Sequence, residues 1–331
     1  MKLKILFNGF RHGHINGLYQ KALTCDFVEI AGCIEPDPIA RQTAQEKLGA
    51  SFSDKSYDYW LDSDIDVVAI GCAYGERGEA VIQALSAGKH VIADKPICTS
   101  MQQLETIERL CAEKNRKLIC MLDLRYLPQS ITAKQLLQSG RLGQVRNVAF
   151  NGQHCIDYGN RPGWYFVDGM HGGTINDLAI HGVDLVRMLT GLEFSQIDAA
   201  RTWNAYANKH PEFKDCALFM AQLENGAGVL ADISYSAPSQ AFSMPSYWEF
   251  RFWCDHGMLT FNYKDSSVTV FEEGRLEPEV ICCKPSNIDY LQELYREVKE
   301  DLCICTKSTL QSTGTTLKLQ QFADKEVGRN V

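Results

Sequence analysis

Through the first 120 residues, short apolar runs alternate with segments of helical spacing. Residues 2–8, 28–35, 66–72, 90–93 and 117–121 read as strands, and 66–72 is almost unbroken apolar, as in a strand buried on both faces. The intervening periodicity predicts helices over 13–22, 38–48, 57–62, 79–87, which Gly88 stops, and 100–115. Strand–helix alternation with short links specifies right-handed βαβ units and a doubly wound parallel sheet.

After Leu122 the pattern changes. Helical spacing appears over 128–139 and within 169–189, and 308–323 reads as a final helix. Strands over 218–223 and 229–236 flank Glu224-Asn225-Gly226, a hairpin signature. Residues 247–253 alternate, with Trp248, Phe250 and Phe252 on one side and Tyr247, Glu249, Arg251 and Trp253 on the other. Strands over 258–263 and 267–271 continue a meander. The expected fold class is α/β: an N-terminal Rossmann-type parallel-sheet domain over 1–122, then an α+β domain over 123–331 with a large, mostly antiparallel open sheet. The last helix has the option of returning to the first domain.

Composition narrows the function. The 331 residues carry a formal charge of −8 and no Lys/Arg cluster, which argues against a nucleic-acid binder. No window reaches the length of a spanning helix, and the apolar stretch 5–7 is too short for a signal core, so no membrane partner is expected. Cys33, Cys72 and Cys120 lie in apolar runs, where cysteine behaves as a small hydrophobe. An odd total of thirteen, without CxxC or zinc-ligand spacing, points to a reduced, cytoplasmic protein and to no metal site.

The first strand leads into Asn8-Gly9-Phe10-Arg11-His12-Gly13, where a dinucleotide fold places its glycine loop. With Gly13 as the third glycine, Asn8 and Phe10 stand at the first two positions, so the motif is partial. Glu35 ends the second strand, 22 residues after Gly13, where an acid holds ribose hydroxyls and repels a 2′-phosphate. NAD is therefore favoured over NADP. The plain alternatives are a solvated acid at Glu35, a helix-entry glycine at Gly13 and a packing role for Phe10.

The segment Gly88-Lys-His-Val-Ile-Ala-Asp94-Lys95-Pro96 resembles the glucose–fructose oxidoreductase/inositol dehydrogenase/rhizopine (Gfo/Idh/MocA) family. Three further blocks follow in the family's order: Leu124-Arg125-Tyr126-x-Pro128, Ser139-Gly140-x-Leu142-Gly143, and Gly172-Gly173-Thr174-Ile175-Asn176-Asp177 through His181 and Asp184. The resemblance implies that Lys95 lies at the nicotinamide and that Asp177 and His181 line the substrate side, as the catalytic group. The residue types suit that chemistry: a histidine accepts a hydroxyl proton near neutral pH, and an ammonium holds the oxygen. Asp177 and His181 are i and i+4, one face of a helix, which on spacing alone reads first as a surface pair, with a two-ligand metal face lacking an evident third ligand as another reading.

The chain departs from the family pattern in three places besides its loop. Asp94 stands where the family has Glu. Cys72-Ala73-Tyr74-Gly75-Glu76-Arg77 replaces Thr-Pro-Asn-x-x-His, a loop that contributes cofactor contacts; Cys72, Ala73 and Arg77 are the positions expected there. Trp164-Tyr165 replaces Trp-Arg. Arg11 or Arg77 is the expected electrostatic substitute at the pyrophosphate. Tyr126, His154, Trp164, His171 and Asn176 are candidates to line a pocket for a carbohydrate-like substrate. The leading reading is a dehydrogenase of a sugar, cyclitol or derivative; the alternatives are a nucleotide- or sugar-sensing protein and an NAD-dependent glycosidase. A homodimer or homotetramer through the C-terminal sheet is expected, unless helices of the same domain cover the aromatic face of 247–253.

Overall fold

The structure is a computed structural model that describes residues 2–239, 243–244 and 246–325. It divides into two compact units: one comprises the chain to Leu122, Pro162–Gly172 and Asp289–Gly314, the other Asp123–Arg161, Gly173–Ile288 and the chain from Thr315. The first unit thus takes in two segments beyond Leu122 in addition to the N-terminal stretch. Among the described residues no helix is long and apolar enough to cross a membrane.

The first unit alternates as the sequence predicts: β1 (Leu3–Asn8), α1 (Gly13–Leu23), β2 (Val28–Ile34), α2 (Pro38–Leu48), α3 (Tyr57–Leu61), β3 (Val67–Ile70), α4 (Tyr74–Ser86), β4 (His90–Ala93), α5 (Met101–Lys114) and β5 (Leu118–Cys120). The strands lie parallel in the order β2-β1-β3-β4-β5. Every residue of β3 is buried, which is what an unbroken apolar run between two helical layers requires. Helix α4 begins five residues before the predicted start, because Tyr74-Gly75-Glu76-Arg77 forms its first turn rather than a loop.

The second unit contains α6 (Pro128–Gln138), β6 (Val145–Gln153), α7 (Ile180–Thr190), β7 (Phe194–Trp203), β8 (Cys216–Leu223), β9 (Gly228–Ser234), β10 (Phe250–Cys254), β11 (Gly257–Phe261), β12 (Ser267–Glu272) and β13 (Glu279–Cys282). Its eight strands run in the order β13-β12-β11-β10-β6-β9-β8-β7, antiparallel except for the β6–β9 pair. Phe250, Phe252, Phe150 and Phe219 fill the inner face. The strand predicted over 247–253 begins only at Phe250, since Trp248 adopts φ 48°, but its alternation holds: the Trp248, Phe250 and Phe252 side is buried within the unit. The helical stretch within 169–189 starts after Gly172 and Gly173, both at positive φ, as a π-helical turn over Ile175–Ala179 that runs into α7. Any side chain at Gly182 would overlap the Phe150 ring, so this glycine lets α7 lie on β6.

Two helices complete the chain, α8 (Tyr290–Glu300) and α9 (Ile304–Lys325). β5 is an edge strand whose amides need acceptors. Leu118 donates to Thr306 Oγ1 at 3.1 Å and Cys120 to Thr309 Oγ1 at 3.2 Å, so α9 hydroxyls finish the sheet.

Candidate functional site

In the first unit, the loop after β1 is pulled tight by its own amides. Gly9 N donates to Ile34 O, Arg11 N to Gly71 O, and Phe10 N to Glu35 Oε2 at 2.5 Å. Gly9 sits at φ +89°, and a Cβ there would come 2.5 Å from Cys72 N, so this glycine serves the approach of two strand ends. Phe10 is buried against Phe7, Tyr19 and Phe52. Its side chain fills the core and leaves the outer side of the loop clear. Gly13, by contrast, has nothing within 4 Å of a would-be Cβ. It opens α1, whose first amides receive no side-chain cap from His12. An uncapped helix start beside an unfilled glycine is a cradle that fits a dinucleotide's phosphates.

Glu35 is only 4% exposed, not a solvated acid. Its carboxylate accepts from Phe10 N and from Asp37 N at 2.8 Å, and burial raises its pKa despite those bonds. The acid thus organises the loop it was expected to complement. Arg11 lies 3.6 Å from Asp37 and half-buried. Arg77, expected at the cofactor, is corrected by the structure: it is fully buried, and its guanidinium donates to the carbonyls of Lys95 (2.6 Å), Pro96 (3.1 Å) and Cys72 (2.7 Å). It braces the two loops after β3 and β4 and has no surface to offer a phosphate. Cys72 and Ala73 are buried beneath it, with the Cys72 thiol pushed up to about 12 by burial.

Asp94 and Lys95 follow β4. Asp94 is fully buried and accepts Lys95 N–H at 2.7 Å; His12 Nδ1 meets its Oδ2 at 2.6 Å and His14 Nδ1 its Oδ1 at 3.0 Å. Burial drives His12 down to about 4, against the opposing pull of Asp94. Asp94 stays well below the usual carboxylate range, because the neighbouring histidines and Arg77 outweigh the burial that pushes it the other way. The Lys95 ammonium lies 5.7 Å from the centre of the Tyr74 ring. Tyr74 shares a 2.6 Å hydroxyl–hydroxyl bond with Tyr165, while Trp164 and His171 pack within 4.8 and 5.8 Å of its ring. Two of the predicted lining residues, Trp164 and His171, therefore gather with Lys95 in the first unit. Tyr74, Tyr165 and His14 were not singled out as site residues; no local pattern marks them.

In the second unit, Asn176, Asp177 and His181 are all buried at the junction of the π-helical turn and α7. The Tyr235 hydroxyl donates to Asp177 Oδ2. His181 stands edge-on to Trp248 at 5.6 Å, and His154 approaches the same indole at 6.1 Å. The turn is fixed from behind: Gln320 Oε1 accepts Ile175 N–H at 3.0 Å over Gly173, where any Cβ would strike the glutamine. Tyr126 closes a short 3-10 turn whose Arg125 pairs with Asp184 of α7 at 2.9 Å. Asn176, Asp177 and His181 thus share this turn and the start of α7, and His154 and His181 approach the same indole. Tyr235 was not anticipated, since it directly follows β9, whose alternation says only which side chains point inward.

Comparison with known proteins agrees with both halves. Residues 7–122 match the family model described as the oxidoreductase family NAD-binding Rossmann fold, and residues 130–260 match the GFO/IDH/MocA C-terminal domain. Levoglucosan dehydrogenase of Pseudarthrobacter phenanthrenivorans is 28% identical over 51% of this chain and 44% of its own length. Inositol 2-dehydrogenase of Serratia proteamaculans is 24% identical over 60% of this chain and 57% of its own. The chain therefore aligns with only about half of each of these relatives. A solved levoglucosan dehydrogenase in complex with NADH and levoglucosan shares the fold, with TM-score 0.82 at 19% identity over 98% of both chains.

Proposed function

Since the chain belongs to the Gfo/Idh/MocA oxidoreductase family, we propose that it is an NAD(H)-dependent dehydrogenase acting on a secondary alcohol of a sugar or cyclitol, or on the corresponding ketone. The observation that carries this reading is the acid–base pair of the second unit: Asp177 and His181, buried together, with Tyr235 donating to the acid and Trp248 beside the base. When bound, the nicotinamide supplies the two-electron acceptor or donor. His181 takes the hydroxyl proton during oxidation and returns it during reduction. The Lys95 ammonium holds the substrate oxygen as negative charge develops on it. Asp177 orients a neighbouring hydroxyl or the imidazole. Asn176, His154 and Tyr126 supply partners for further hydroxyls, and Trp164 and His171 supply ring faces.

The phosphates fit the open start of α1 at Gly13, with Asn8, Gly9, Phe10, Arg11 and His12 forming the loop. NAD is favoured over NADP because the Glu35 carboxylate, with Asp37 two residues on, places negative charge at the end of β2. None of the thirteen cysteines forms a disulfide, which supports a reducing, cytoplasmic setting. The outer face of the eight-stranded sheet exposes Leu218, Met220, Leu230, Trp253, Phe271 and Val280. An apolar stripe of this kind supports self-association into a dimer or tetramer through the sheet. Leu230→Glu is expected to convert the assembly to monomer in analytical ultracentrifugation; an unchanged mass would place the contact elsewhere.

The activity is tested with a panel of sugars, polyols and cyclitols, following NADH formation. Turnover of at least one member is expected, reduced about 10²–10⁴-fold in His181→Asn. Release of sugar from a glycoside without net NADH would support the glycosidase reading. Nucleotide binding without any turnover, unchanged in Lys95→Ala, would support a sensor.

A further inference from the structure

We propose that His12, His14 and Asp94 form a binding site for a divalent transition metal of the zinc, cobalt or nickel type. Every ligand comes from the first unit and none acts on the substrate, but His12 also belongs to the loop proposed to hold the cofactor phosphates, so nucleotide and metal binding are measured side by side. His12 ends the loop after β1, His14 lies in the first turn of α1, and Asp94 follows β4. In the sheet order β1-β3-β4, the ends of the first and third of these strands face each other across one strand. One ligand atom from each residue falls within 4.8 Å of the others.

The donor set itself points to a cation. Both imidazoles turn Nδ1, not merely a ring edge, onto one carboxylate: His12 onto Oδ2 at 2.6 Å and His14 onto Oδ1 at 3.0 Å. The two rings stand edge to face with centroids 4.5 Å apart. Two imidazole nitrogens and a carboxylate match borderline metals, whereas magnesium and calcium prefer oxygen alone. Zinc takes nitrogen and oxygen ligands at about 2.0–2.2 Å. Ligands at that distance in a tetrahedron stand about 3.3–3.6 Å apart, wider than the two contacts to Asp94 and inside the 4.8 Å that bounds the group, so rotations of the two rings open the site. Such rotation is available because His14 keeps 34% of its side chain exposed and His12 14%. That exposure also leaves the outer coordination positions to water. On metal binding, each neutral ring carries its single proton on Nε2 instead of Nδ1, so both Nδ1 lone pairs and the carboxylate face one divalent ion with no net release of protons.

Asp94 is held for this task. Lys95 N–H fixes Oδ1 at 2.7 Å, and the Arg77 guanidinium stands 3.6 Å from Oδ2. The two nearby cations, Arg77 and Lys95, oppose a third positive group, which sets the expected affinity at roughly micromolar rather than the far tighter binding of structural zinc sites.

The test uses the full chain after chelator treatment and gel filtration. Zn²⁺ is titrated by calorimetry, and Co²⁺ by the visible absorption of the bound ion. One equivalent is expected, with affinity lowered at least tenfold in His12→Gln and in His14→Gln and unchanged in His171→Gln, a buried histidine of the same unit. His14 is partly exposed, so its variant folds whatever happens at His12, and circular dichroism confirms this. Parallel NADH titrations keep the two readings apart, because metal binding can fail while nucleotide binding persists. Absence of a saturable site, or binding unaffected by both loop variants, overturns the proposal.

Discussion

The backbone amide of Phe10 donates to the Glu35 carboxylate at 2.5 Å, so the loop after β1 and the acid at the end of β2 are one hydrogen-bonded unit. A loop that lacks two of three glycines keeps its shape through this acid. Glu35→Ala strands the buried amide of Phe10 and the partly buried amide of Asp37, and is expected to cost about 1–3 kcal/mol in urea unfolding, with NAD affinity falling alongside. Unchanged stability would mean that water replaces the carboxylate without loss.

Gly9 and Gly13 are expected to respond in opposite ways. Gly9→Ala forces a side chain into φ +89° and onto the Cys72 backbone, and it destabilises the fold by well over the roughly 1–2 kcal/mol of left-handed strain alone. Gly13→Ala meets open space at a helix start, so thermal stability holds or rises by up to about 1 kcal/mol. The same change narrows the phosphate cradle, and NADH affinity is expected to fall at least tenfold. Calorimetry and thermal melts on both variants check the pair.

In the proposed reaction Tyr235 acts through Asp177, as a positioning residue. Tyr235→Phe removes the donated bond and keeps the ring, which packs on Phe213 at 5.4 Å. Turnover is expected to drop about tenfold, with the acid limb of the pH–rate profile moved to higher pH. A purely structural tyrosine would lower stability and leave the profile where it was.

His90 gives the fold a readable acid sensitivity. Its ring accepts Lys117 N–H at 3.0 Å, and burial, seconded by Arg116 and Lys117, lowers its pKa from 6.5 to about 4. A folded-state pKa below the unfolded one means that the unfolded chain binds the proton first as pH falls. The contribution is therefore complete above about pH 6.5 and is lost progressively toward pH 4, by up to about 3 kcal/mol and less in proportion to the ring's partial exposure. His90→Asn keeps an acceptor without a titrating ring. It is expected to flatten this part of the stability–pH curve, measured by urea unfolding from pH 7 to pH 5; a parallel curve would assign the loss to other groups.

The parallel sheet was legible because burial on both faces writes unbroken apolar runs, as in β3, and because glycine and polar links separate them. β6 and β7 were not, since their outward positions carry Arg146, Asn147, Asp198 and Arg201 in runs that break alternation. α8 went unread despite an available signal, Asp289, whose side chain caps the helix by accepting from Leu291 and Gln292. Asp177 and His181, the proposed acid–base pair, stand in a local motif on contiguous chain, which makes them readable from sequence. The His14–Asp94 contact spans 80 residues and arises only from the strand order, so no spacing rule reveals it. Arg77 misled for a related reason: a charge in a loop-like segment reads as available, and only the fold shows it spent on three carbonyls.

This glycine-poor loop is proposed to hold a nicotinamide dinucleotide for hydride transfer. Calorimetric titration of NAD and NADH, with denaturing extraction to detect copurified nucleotide, tests it most directly. Micromolar binding of NADH, weaker binding of NADP, and loss of affinity in Gly13→Val are the predicted result. No heat with either nucleotide, and none extracted from the purified protein, would contradict the account.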